Sequence, residues 1–151
     1  MKKLIERQSI GDNIKAYNAY QQFGKLIDAL ELRQLPGETI SFLNQEIEQL
    51  NALDLVDSYF LKSLKRSASK IIKFIEKNHK IAPKNYYRRQ WVSLGIAGFG
   101  IPLGVAVGLS LGNMGMIGLG FPIGMAIGIG VGSNLDKKAF EEGRQLDFEI
   151  K

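Results

Sequence analysis

Residues 91–135 form a run of 45 residues without one charged side chain, although the 151-residue chain carries 20 Lys and Arg and 15 Asp and Glu. A bilayer hydrocarbon core of roughly 30 Å is crossed by about 20 apolar residues in a helix, so this run is long enough for two crossings and a sharp reversal. The division read from the sequence is 91–112, a turn at Gly112, Asn113 and Gly115, and 116–133. Gly and Asn suit such a reversal because both tolerate positive φ. A buried hairpin inside a soluble domain is the competing expectation. It is disfavoured because only the 106 residues outside the run would be there to cover it. The run lies far from the N-terminus and exceeds the apolar region of a secretory signal.

The flanking charges predict an orientation. Lys84, Arg88 and Arg89 precede the first crossing, Lys137 and Lys138 follow the second, and the tip carries none. Under the positive-inside rule both termini are cytoplasmic and the Asn113 turn faces the other side. Tyr86, Tyr87 and Trp91 fall where an interfacial aromatic belt belongs.

Within the run the sequence repeats at an offset of 20 residues: GIPLGVAVGLSLG at 100–112 aligns without a gap with GFPIGMAIGIGVG at 120–132. On a helix, residues four apart share a face. Gly100, Gly104, Gly108 and Gly112 therefore form one small-residue stripe, and Gly120, Gly124, Gly128 and Gly132 another. Pro102, Ala106 and Ser110, and in the second copy Pro122, Ala126 and Gly130, fall about 200° away. In lipid, small faces let helix backbones approach closely and associate by packing. One such face closes a two-helix hairpin, and the second, carrying Ala106 and Ala126, is predicted to take another copy of the chain. Alternation of small and large residues also has the period of a strand. Pro102 and Pro122 would each remove a ladder donor, however, and a lone hairpin would leave open edges in lipid. In a helix the two prolines are expected to kink the crossings or to end a short first turn.

The expected fold class is all-α: a cytoplasmic helical domain over 1–84, a transmembrane hairpin over 85–135 and a charged cytoplasmic tail over 136–151. Three amphipathic helices are predicted in the first part. The stripe Ile14, Tyr17, Tyr20, Phe23, Ile27 and Leu30 marks a helix over about 12–34, stopped by Leu35-Pro36-Gly37. Ile40, Leu43, Ile47 and Leu50 form a seam over about 38–53. Phe60, Leu64, Ala68, Ile71 and Ile75 mark a third helix, capped by Asp54 or Asp57. Opposite its apolar stripe, this helix carries Lys62, Arg66, Lys70, Lys73 and Lys77, and from Lys62 to Arg89 ten basic residues face one acid, Glu76. A polybasic face leading into a membrane segment is expected to meet anionic headgroups, at about 1 kcal/mol per charge. A solvated face is the bland alternative, and no recognition motif supports nucleic acid.

The residues speak against catalysis. With no Cys and one His (His79), thiolate chemistry and His-pair or Cys metal sites are excluded, and no phosphate loop, HExxH or GxSxG occurs. No catalytic residue, metal or cofactor is expected. Ionisable residues, the usual mark of a transport path, are missing from the crossings.

The run from Tyr86 to Asp147, with its repeated GxPxGxAxGxxxG, its GN turn at Gly112-Asn113 and its closing LDKKA, resembles a bacterial group of small, largely uncharacterised glycine-zipper membrane proteins with two spans. That resemblance implies a two-span bacterial membrane protein and supplies no activity. The expectation is therefore a non-enzymatic protein of the bacterial cytoplasmic membrane that self-associates as a scaffold or membrane organiser. The alternative is a pore-forming or permeabilising effector controlled by its N-terminal helices.

Overall fold

A computed structural model describes residues 1–5, 14–53 and 58–149. The chain is built almost wholly from helices and divides into two compact units. The first comprises residues 1–81 together with the chain from Leu146 onward, and the second residues 82–145. The division differs from the sequence expectation at the C-terminal end, where the tail rejoins the first unit.

In the first unit, α1 (Ile14–Glu31), α2 (Gly37–Asn51) and α3 (Ser58–His79) bury their apolar stripes together, with α3 packed on both of the others. Phe23, Leu26 and Leu30 of α1, Leu43, Ile47 and Leu50 of α2, and Phe60, Leu64, Ile71 and Ile75 of α3 are almost fully buried. The first turn of α1 departs from the predicted stripe, since Ile14 and Tyr17 are exposed. Pro36 precedes α2 with φ −58°, as the sequence stop predicts. The proposed caps Asp54 and Asp57, and the predicted helix start at Asp12, lie outside the described residues.

Two polar contacts tie this core. Glu46 is buried and receives the ammonium of Lys70, which also stands 5.6 Å over the ring of Phe42. Phe42 stacks on Phe74 with centroids 4.1 Å apart. His79 shares a hydrogen bond with Thr39, Nε2 to Oγ1, at 2.8 Å.

In the second unit, α4 (Tyr86–Gly95), a π-helical turn (Ile96–Gly100) and α5 (Ile101–Ser110) run on as one helix of 25 residues. A 3₁₀ segment (Met114–Leu119) leads into α6 (Gly120–Glu141), and these two make a second continuous stretch of 28 residues. At 1.5 Å per residue each stretch is about 40 Å long. Both are long and apolar enough to cross a membrane. Pro102 follows the π turn inside the first continuous helix, and Pro122 lies in the first turn of α6 just after the 3₁₀ segment, so each proline falls where the regular α hydrogen bonding is already interrupted.

The helix ends are closed by the same device. Gly112, at φ +60°, lets its own amide reach Leu109 O and the Asn113 amide reach Gly108 O. Gly143, at φ +68°, does the same for the amides of Gly143 and Arg144 on Phe140 O and Ala139 O. Both are Schellman endings, which satisfy the last helical carbonyls. Helix α6 continues past Asp136, where the sequence reading begins a separate tail, and only then turns into β2 (Gln145–Glu149). A short strand, β1 (Ala82–Lys84), opens the second unit ahead of α4. Alternation in QLDFE buries Leu146 and Phe148, which accounts for the return of the tail to a folded unit.

Candidate functional site: a glycine-packed apolar helix pair

The two long helices of the second unit pack antiparallel through glycine. Methyl groups added at Gly100 would stand 2.9 Å from the Gly120 carbonyl oxygen, and at Gly124 2.7 Å from the Gly100 Cα. Gly104 faces the backbone of Ile117, Gly120 faces Gly104 and Gly100, Gly128 faces Trp91 and Val92, and Gly132 faces Arg88. Gly100 and Gly120 occupy the same position in the two repeat copies, and they meet each other. The repeat is thus folded onto itself about an axis passing between equivalent glycines.

Gly95 belongs to this seam, against Gly124 and Gly128, and is the packing residue that the repeat alone does not reveal. It precedes Gly100 by five residues rather than four. The intervening π turn absorbs that extra residue and returns Gly95 to the glycine face, a common role for a π bulge. The spacing of five was the available signal.

The other predicted packing residues fall elsewhere. Gly108 faces Ile117, Asn113 and Met114 beside the turn, and Gly112 meets nothing within 4 Å and serves only the reversal. Asn113 accepts the Gly115 amide at 3.0 Å through its Oδ1, which shapes the same turn. Ala106 and Ala126 lie on the outer surface with Pro102, Ser110, Pro122 and Gly130. Gly130 has open space around it, and Ser110 donates its hydroxyl to the Ala106 carbonyl at 2.8 Å. That outer small face therefore carries no unsatisfied hydroxyl proton.

The rest of the outer surface is bulky and apolar. Phe99, Ile101, Leu103, Leu109, Leu111, Phe121, Ile123 and Met125 are all more than 40 % exposed. Only 22 % and 17 % of the most apolar windows are buried within the protein, unlike the core helices of a soluble domain.

Charge is confined to one end of the pair. Lys84 ends β1 just before the first helix, Arg88 and Arg89 lie in its first turn, and Lys137 and Lys138 lie near the end of α6, where they pair with Glu141 at 3.8 Å and Glu142 at 3.9 Å. At that end Asp136, buried, accepts the amides of Tyr87 at 3.1 Å and Arg88 at 2.9 Å. A carboxylate there satisfies donors left open by the start of α4 and complements its dipole. Beyond it Arg144 is held by Glu142 and Tyr87, which raise its already high pKa.

In the first unit, Lys62, Arg66, Lys73 and Lys77 are exposed along α3. Lys70 instead serves the buried Glu46. Among the described residues, no group of three or more His, Asp or Glu is placed to hold a metal ion. Comparisons with protein-family models, curated proteins and solved structures find no match to this chain.

Proposed function

We propose that the protein is a non-enzymatic integral membrane protein. In this reading its glycine-packed helix pair spans the bilayer as a hairpin, and its outer small face associates with further copies to form a membrane-organising scaffold. The observation that carries the reading is the inversion of ordinary burial: the smallest residues are inside the pair and the bulky apolar ones outside. That is the arrangement lipid favours, since tails solvate large apolar side chains while small residues permit close helix contact. The confinement of charge to one end supports a hairpin with both ends on the cytoplasmic side of a bacterial inner membrane.

The outer small faces of the two helices point away from each other. Copies joined through them extend the pair sideways, giving a closed ring or an open row rather than a sealed dimer. The bulky apolar lining such a ring would have speaks for a scaffold over a standing aqueous pore. The exposed face of α3 (Lys62, Arg66, Lys73, Lys77) is then drawn to anionic headgroups. Cross-linking in native membranes, with Ala106→Leu and Ala126→Leu together, tests the association. The scaffold reading expects loss of the oligomer with the hairpin still inserted, and an unchanged ladder would remove it. Release of dye from liposomes by the wild-type chain would favour the permeabilising effector instead.

A further inference from the structure

The first five residues lie extended along α2, held by side chains of α1 and α2. The Lys2 amide donates to Asn44 Oδ1 at 2.8 Å, and the Ile5 amide to Asn51 Oδ1 at 3.0 Å. Asn51 Nδ2 donates to the Lys3 carbonyl at 3.1 Å, and the Tyr20 hydroxyl to the Leu4 carbonyl at 3.2 Å. The Lys2 ammonium meets Glu48, and the Met1 amino group meets Glu31 at 3.0 Å. The two asparagines are seven residues apart, about 10.5 Å along a helix. Lys2 and Ile5 are three residues apart, about 10 Å along an extended chain. The rises match, so one helix face reads the backbone of a strand running beside it. Five of these six contacts are to backbone or terminal groups of the segment, and near the surface such bonds are individually weak and exchange with water.

We propose that the surface formed by Asn44, Glu48 and Asn51 of α2, with Glu31 and Tyr20 of α1, is a receptor site for an extended lysine-bearing peptide segment. It is filled in this state by residues 1–5 of the same chain, and it takes the same segment of a second copy when the strap exchanges. The segment is the ligand the site is seen to fit in register, hydrogen bonding and charge, and every copy carries one. Reciprocal exchange of an identical element links two protomers without any new contact. This link is made by the first unit and does not rest on the membrane reading.

The absence of native cysteine makes the test direct. Full-length chains bearing Lys2→Cys and Glu48→Cys separately, one of them enlarged by a tag, are mixed in detergent and treated with a short bis-maleimide. The double variant in one chain reports the internal contact. Exchange predicts a cross-linked heterodimer in the mixture, and Asn44→Ala with Asn51→Ala should lower its yield roughly tenfold or more. A heterodimer insensitive to the two asparagines would show mere proximity and overturn the proposal. Internal cross-linking in the double variant without any heterodimer would confine the strap to its own chain, and would overturn it equally.

Discussion

Asp136 lies 48 residues from Arg88 in sequence, yet its carboxylate accepts the Arg88 amide at 2.9 Å and closes the charged end of the helix pair. The second oxygen takes the Tyr87 amide, so one side chain fixes where the first long helix begins relative to the second. Asp136→Ala removes both acceptors and is expected to destabilise the pair by about 1–2 kcal/mol, the scale of a lost helix cap. Asp136→Asn keeps one acceptor and should cost less. Denaturant titration of the full chain in detergent, followed by circular dichroism, measures both.

The glycine seam predicts a sharp contrast between two glycines six residues apart on α6, Gly124 and Gly130. Gly124→Ala places a methyl 2.7 Å from the Gly100 Cα and must push the helices apart, a change expected to cost roughly 1–3 kcal/mol. Gly130→Ala meets open space and should be neutral or slightly stabilising. The same denaturant titration separates them, and equal midpoints would contradict the packing described.

The π turn makes a further test available. Deleting Gly98, which has open space around it, brings Gly95 and Gly100 to a spacing of four. The shorter helix should keep the seam. An alanine inserted after Gly98 instead turns the preceding segment by about 100° and moves Gly95 off the glycine face. The midpoint of the same denaturant titration is expected to be kept after the deletion and to fall after the insertion.

This residue also marks how far the sequence can be read. The uncharged run, the 20-residue repeat and the turn at Gly112-Asn113 are visible because lipid solvation, close packing and positive φ each demand particular residue types locally. Gly95 is harder to see because its role depends on a helix with one irregular turn. Asp136 is hidden for a different reason. Its partners are backbone amides distant in sequence, which leave no side-chain pattern, and an acid at the edge of an apolar run reads as ordinary tail. Leu146 and Phe148 alternate in a five-residue stretch too short to stand out, although the fold places both in the first unit.

That placement affects how the basic face is tested. A fragment ending near residue 85 would lack Leu146 and Phe148, so the full chain is required. Lys70 should be spared, because losing it strands the buried Glu46. Lys62, Arg66, Lys73 and Lys77 changed together to Gln should reduce quenching of a fluorophore on α3 by anionic quencher lipid. In the parent chain the quenching should fall as salt rises, within a Debye length near 8 Å at 0.15 M. Salt-independent quenching would mean the face is merely solvated.

Acid should loosen the N-terminal strap. The Met1 amino group beside Glu31, through a hydrogen bond and its charge, holds that carboxyl below its usual 4.5. A depressed acid contributes stability that is present above the ordinary value and is lost as pH falls through the lower, folded one. Protection of the Lys2 and Ile5 amides from hydrogen exchange, corrected for the intrinsic rate, should be constant from pH 7 to about 5 and should decline below about 4.5. Glu31→Gln should flatten that dependence.

The central claim, a membrane hairpin with its charged ends on one side, is tested most directly by cysteine accessibility in cells, since the wild-type chain offers no competing thiol. A membrane-impermeant maleimide applied from outside, with the outer membrane opened where there is one, should label Asn113→Cys in intact cells. It should label Lys84→Cys and Lys137→Cys only after the inner membrane is broken. Labelling of all three from one side, or recovery of the chain in the soluble fraction, would contradict the account.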